Sequence, residues 1–380
     1  MSSTPSSSAV GTGQRPPEQR SPHRGPTRSG ADAVISVALF VGALVGMFFA
    51  FQWMRDTDAS RLVVVVAALV VGIVGVWAIF YSMDRAVDTL SLARQETVRP
   101  WVFVGPALLL LSIFLVYPAI YTTIISFQDA RGNEWVGWEN YAFVFSDDSM
   151  LRSIRNSLGW SIIVPLFATG IGLLFAVLAD RLTRLESISK SLIFLPMAIS
   201  FVGASVVWGF VYDFRVFGNQ TGLLNAAMVG TGNDPVDWLA LQPWNNLFLM
   251  VIMIWMQTGF AMVILSAAIK SVPSDMIEAG RIDGATEIQI FWRITIPTIM
   301  SSIVVVLTTI VINTLKVFDI VWVLTNGESG TEVVAERMVR WFFRNQHQGR
   351  AGAIAVLMFL AVIPIMAMNI RRFREEEATR

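Results

Sequence analysis

Long apolar runs alternate with short charged stretches along the whole chain. Eight runs hold twenty or more residues each with few charges: 33–54, 62–83, 101–125, 158–180, 192–212, 246–269, 298–324 and 351–370. At a rise of 1.5 Å per residue, about 20 residues cross a hydrocarbon core of roughly 30 Å. Inside lipid a helix satisfies its own backbone hydrogen bonds, whereas an isolated strand does not. The pattern therefore predicts an all-α integral membrane protein with about eight transmembrane helices. Pro165, Pro196 and Pro364 fall inside runs and predict kinks, with neighbouring groups taking up the freed carbonyls.

The polar stretches set the organisation. Residues 1–32 are rich in Ser, Pro, Gly and Arg and cannot bury enough surface to fold, so a disordered tail is expected there. The first apolar run is too long for a secretory signal, and no small-residue cleavage site closes it. Residues 33–100 read as two leading transmembrane helices and a polar link, 101–370 as a six-helix core, and 371–380 as a tail. With both termini inside, seventeen of the 28 Lys and Arg lie in inner segments and ten in outer ones. That bias places both termini on the cytoplasmic side of the cell membrane.

One stretch between runs is unusually charged. Residues 271–297 carry Asp275, Glu278, Arg281, Asp283, Glu287 and Arg293, a density that hydrocarbon would not tolerate, so they form a cytoplasmic loop. Its interior reads as a short amphipathic helix with Met276, Ile277, Ile282, Ala285 and Ile288 as the apolar side. Ser274 or Asp275 is the expected cap, with Asp275 and Glu278 forming a loose capping box. Gly280 weakens the helix and Gly284 offers a left-handed stop.

The spacing Glu278-Ala279-Gly280, then Gly284, then Ile294, Ile296 and Pro297 resembles the EAA loop of membrane subunits of binding-protein-dependent ABC importers. Gly280 and Ile296 replace the Ala and Leu of that pattern. The opening of the core at Trp101–Leu110, the Tyr117-Pro118 pair, and Gly137–Tyr141 are also similar to sugar-importer permeases of the maltose and alpha-glucoside type. The resemblance implies a six-helix type I permease core that translocates a sugar by alternating access. The loop would dock on a separate ATPase through Glu278, Ala279, Gly280, Asp283, Gly284, Ile294 and Pro297. The implied partners are a second related permease, two ATPase subunits that bind the ATP and Mg, an extracytoplasmic sugar-binding protein, and membrane lipid. The register of the resemblance also places Trp255, Gln257, Phe260, Asn313 and Thr314 at sugar contacts. Aromatic rings and amides suit a sugar's C–H faces and hydroxyls.

Composition sharpens this picture by exclusion. The chain is 54% hydrophobic, 15% charged and of zero formal charge, which argues against nucleic acid as a partner. It has no cysteine and only His23 and His347, both in polar stretches, so neither thiolate chemistry nor a metal cluster is expected. No phosphate-binding loop of the G-x-x-x-x-G-K-[ST] kind occurs, so any ATP hydrolysis belongs to another subunit, and this chain needs no cofactor of its own. One ionisable pair lies within a run: Lys316 and Asp319, three apart and expected to share a helix face. An ion-coupled secondary transporter built on that pair is the rival reading. Such carriers usually show internal repeats, and none is evident here.

Overall fold

The structure, a computed structural model, describes residues 30–180 and 185–378. Most of the expected leading tail, together with Arg181 and Arg184, lies outside those residues. The described residues are almost wholly helical, and they fall into two compact units that divide at Pro118.

In the first unit α1 (Gly30–Asp56) and α2 (Arg61–Val87) are apolar on every side, as segments solvated by lipid must be. The first helix thus starts slightly before the run at 33, inside the stretch expected to be disordered. The polar link is shorter than expected, because α3 (Ala93–Ile125) begins before the apolar run and carries Pro100 and Pro106 within it. Gln95 explains the tight turn: its amide donates to the carbonyls of Asp88 and Leu90, closing off the end of α2.

The second unit begins within α3 and continues with α4 (Glu139–Ser146) and α5 (Asp148–Asp180). A bent span follows, α6 (Glu186–Ala198) meeting α7 (Phe201–Tyr212) at 101°, then the straight α8 (Asn245–Lys270). After α9 (Ser274–Ile282) comes a second bent span, α10 (Glu287–Thr298) meeting α11 (Met300–Leu315) at 68°. Pro196 and Pro297 stand just before the two breaks, where a missing amide interrupts the ladder, and the Ser200 hydroxyl caps α7 by accepting from Gly203 N at 3.0 Å. Short helices α12 (Asp319–Leu324) and α13 (Val334–Val339) precede α14, the span Gln348–Arg371. The last helix continues to Ala378, through the stretch expected as a tail.

Packing decides that each bent pair crosses once. Helices α5 and α8 run parallel along their whole length. Trp160 donates to Asn246 Oδ1 at one end, and Lys270 pairs with Asp180 at 3.6 Å at the other. Between these, Gly172 lies so close to α8 that a methyl there would stand 2.5 Å from Ala261 Cβ. Two parallel spans require an odd number of crossings between them, so α6 and α7 form one span. The start of α14 packs beside the end of α3, with Gln348 N donating to Ala130 O and Gly352 against Thr122 O. Asn156 of α5 and Asn246 of α8 both reach Gly330 in the segment leading to α14, so α14 starts at the same membrane face as they do. Helices α10 and α11 therefore also count as one span, and the described residues cross eight times.

The core sits between α5, α8 and α11 around Trp160, Val164, Met253, Met262, Leu265 and Ile310, all essentially inaccessible. Methionines fill the irregular gaps that bent helices leave.

Candidate functional site

At the end of the second unit that carries residues 271–297, three helix ends are stitched by charge. Lys270 of α8 pairs with Asp180 of α5 and with Glu186 of α6, and Lys190 of α6 bonds both Glu186 and the Ser266 hydroxyl of α8. On this base rests the charged loop. Val272, Ile296 and Ile299 form a small buried cluster that takes Ile277 and Phe291 against it. Gly280 is buried because α9 presses onto α10 there: a methyl would stand 2.7 Å from Ile294 Cδ1. The chain leaves α9 through Gly284 at φ +79°, so the left-handed stop expected at that glycine is present.

The capping differs from expectation. Pro273 occupies the N-cap position of α9 with no side-chain cap, and no Asp275–Glu278 box forms. The capping box belongs instead to α10, where Thr286 and Gln289 satisfy each other's backbone amides. Gly280, expected to weaken the helix, lies in its last turn, two residues before its end.

The apolar residues of the loop split between two faces. Ile277 points inward, whereas Ile282 is 86% exposed, Ile288 72% and Trp292 62%, with Met276 also exposed. Glu278, Ala279, Asp283, Gly284 and Pro297 are exposed, and Ile294 is half-buried. Arg281 pairs with Glu287 at 2.9 Å, and that bond raises the guanidinium pKa further. The result is a rigid, capped helical turn whose outer face mixes carboxylates with uncovered isoleucines.

Deeper in the unit, the five expected sugar contacts do not converge on one face. On α8, Trp255 and Gln257 stand about 160° apart, while Gln257 and Phe260 are about 60° apart. Trp255 points to the bent span and meets Trp208 of α7 edge-on at 5.8 Å. Trp208 leads on to Tyr212, and Tyr212 to Phe248, which lies two turns from Trp255 on α8. Gly259 lets α7's predecessor approach, with Ile193 O where its methyl would be. Gln257 is 5% exposed and its amide nitrogen has no hydrogen-bond partner. Asn313 is half-buried on α11, and the buried Thr314 hydroxyl donates to Ile310 O.

The intramembrane pair is not one. Helix α11 ends at Leu315, Lys316 is its exposed C-cap, and Asp319 opens α12 after a non-helical Val317-Phe318. The break removes the shared helix face, and among the described residues no ion pair joins the two. The second unit instead concentrates charge at the opposite end, around α13. Glu336 is fully buried and accepts from Arg340 Nε at 2.6 Å, Arg337 and Arg152 flank the buried Glu332, and Glu328 pairs with Arg340. The spacing Glu332, Glu336, Arg340, four apart, was the available signal for this cluster. Burial pushes the Glu336 carboxyl up, against the downward pull of Arg340, and its second oxygen accepts no hydrogen bond. Among the described residues no group of three or more His, Cys, Asp or Glu is placed to hold a metal ion.

Comparison with known proteins places this architecture. Residues 168–373 match the family described as binding-protein-dependent transport system inner membrane component. The osmoprotective compounds uptake permease protein GgtC of Synechocystis is 52% identical over its whole length and 73% of this chain. The alpha-glucoside transport system permease protein AglF of Rhizobium meliloti is 44% identical over 98% of its length and 83% of this chain. Among solved structures, a bacterial ABC transporter involved in the import of the acidic polysaccharide alginate shares the fold, with a TM-score of 0.64 at 24% identity over 74% of this chain and 99% of that one. With eight crossings, a capped loop at the family's motif and these relatives, the chain belongs to the inner-membrane components of binding-protein-dependent transport systems and is a multi-pass permease of an ABC importer.

Proposed function

We propose that this permease moves a sugar of the α-glucoside class across the cytoplasmic membrane by alternating access, with a separate ATPase docked on the 274–298 loop. The observation that carries the reading is the loop's outer face. A loop that leaves Ile282 exposed at the end of α9, outside any span, with Ile288 and Trp292 exposed on the opening turns of the bent span that follows, offers an apolar face for another protein to cover. In the assembly this face meets the ATPase, and Glu278, Asp283 and Gly284 set the contact and the turn. A second, related permease supplies the other half of the pathway, and an extracytoplasmic binding protein delivers the sugar, as the family description implies. The substrate class follows the name of the alpha-glucoside relative. In this reading the loop and both termini face the cytoplasm, in keeping with the basic-residue bias.

The proposed sugar contacts are Trp255, Gln257, Phe260, Asn313 and Thr314, which lie on different faces of α8 and α11 and so belong to a path rather than to one pocket. Support comes from the free amide of Gln257, a buried donor that a hydroxyl would satisfy, and from the half-buried indole of Trp255. The test is ATP-dependent uptake of a labelled α-glucoside in proteoliposomes holding the full complex. Trp255→Ala abolishes uptake while the ATPase still co-purifies; normal uptake in that variant overturns the assigned path. Because the chain has no cysteine, Ser274→Cys and Asn219→Cys report orientation directly, the first reacting with a membrane-impermeant thiol reagent only from the cytoplasmic side.

A further inference from the structure

The first unit contains a cavity that transport does not explain. It is an open groove of about 390 Å³ between α1, α2 and α3, lined by Val37, Phe40, Met83, Val87, Val98 and Val102. Its two hydroxyls are already spent: Ser36 donates to Asp32 O and Ser82 to Ile79 O, each at 2.8 Å. A water needs two to four polar partners, and the cavity offers none, so water does not fill it. The walls belong to helices that bury about one residue in twenty or fewer, α1 and α2 at 6% and α3 at 0%. This chain leaves their outer faces uncovered, as lipid-facing spans do.

One end of the cavity is polar in a specific way. Arg85 of α2, beside the lining Ala86, pairs with Asp32 of α1 at 3.2 Å, one turn before Ser36. That pair occupies Arg85 Nη2 and the Tyr81 hydroxyl also bonds the guanidinium, while Arg85 Nε is buried and has no hydrogen-bond partner. Arg99 of α3 closes the same end through Asp84 and Asp88, so those two carboxylates are engaged. A buried guanidinium N–H without an acceptor is costly, and an ionised oxygen satisfies it best. It sits where the spans end, at headgroup level, above an apolar slot.

We propose that this cavity is a binding site for one glycerophospholipid, with an acyl chain between α1, α2 and α3 and a phosphodiester oxygen accepting from Arg85 Nε. Phospholipid recognition at basic positions between transmembrane helices follows the same chemistry. The phosphate oxygen at Arg85 Nε, rather than net headgroup charge, is the recognised group, because the carboxylates of Asp32, Asp84 and Asp88 outnumber the guanidinium groups of Arg85 and Arg99.

Native mass spectrometry of the detergent-purified full complex tests the site. The wild-type permease retains one phospholipid through delipidating washes. Arg85→Ala loses it by about tenfold or more, as expected for one charge-assisted bond. Ala86→Phe fills the slot and loses it with Arg85 intact. Phosphatidylglycerol added back to the delipidated complex raises the thermal midpoint of the wild type and of neither variant. A diacylglycerol of the same chains does not raise it. Equal retention in all three proteins, or an equal rise with diacylglycerol, overturns the proposal. The diacylglycerol comparison on wild type decides even where a variant fails to fold, and none of these readouts depends on sugar transport.

Discussion

Two regions of the second unit place charge on short helical segments, and they use it in opposite ways. Around α13 the charges turn inward: Glu332 and Glu336 are buried, and Arg337 and Arg340 are mostly so, in a network that reaches α5 through Arg152. Along α9 and α10 the charges turn outward together with isoleucines, and only Gly280, Ile277 and their neighbours face the protein. The α13 region is complete within one chain. The α9–α10 region, in the function proposed above, is half of an interface. Buried ion pairs are weak evidence of stability but are costly to break, whereas exposed pairs contribute about 0–1 kcal/mol and leave apolar neighbours free to bind. Substitutions in the two regions should therefore separate folding from docking.

The largest effect is expected at Glu336. Glu336→Ala leaves Arg340 Nε without its acceptor inside the fold and should cost about 2–4 kcal/mol, read as a lowered thermal midpoint and yield of the purified complex. Glu336→Gln keeps an acceptor and should cost much less. The pH dependence separates the two states of this group. Its folded pKa is raised by burial, so the folded form binds the proton more tightly than the unfolded chain. Stability should fall as pH rises from the ordinary carboxylate range through the raised value, and Glu336→Gln should flatten that slope. A wild-type profile that rises over that window would contradict the assignment.

Next come Ile282 and Ile288. Ile282→Asp places a carboxylate where an isoleucine would be covered, and should weaken ATPase association by about tenfold or more while leaving the permease's own melting unchanged. A pull-down at graded ATPase concentration measures it. A stability loss comparable to that of Glu336→Ala would erase the contrast between the regions.

Gly284→Val should cost about 1–2 kcal/mol, because a β-branched residue resists φ +79° although nothing crowds the site. Gly284→Asn should recover most of the loss in transport-coupled ATP hydrolysis. The smallest effect is expected at Gly280→Ala, where a gain in helix propensity of up to about 1 kcal/mol offsets contact with the flexible Ile294 Cδ1. Adding Ile294→Val should make the double variant at least as stable as wild type, and a double-mutant cycle would show the coupling.

Much of this was legible in the linear chain. Runs of twenty apolar residues admit few structures in lipid, and the Glu278–Pro297 spacing marked the loop before any packing was known. The same pattern misplaced elements where local rules were silent. Lys316 and Asp319 were expected on one helix because nothing at residues 316–318 signals a break, yet the chain turns there. The register of the resemblance put Trp255, Gln257 and Phe260 in one group, but the helix turns Trp255 toward Trp208 and Gln257 away from it. The buried state of Glu336 depends on Gly327, whose missing side chain leaves room for the carboxyl, and on Arg340 reaching across the turn.

By itself the sequence determined where the chain leaves water, since transfer of an apolar run into lipid is a local sum over its own residues. The tertiary structure decided how many times the bent segments cross, which way Trp255 faces and which charges lie inside. Those outcomes depend on contacts between residues far apart in the chain, such as Trp160 with Asn246 and Asp180 with Lys270, whose free energy no local window contains.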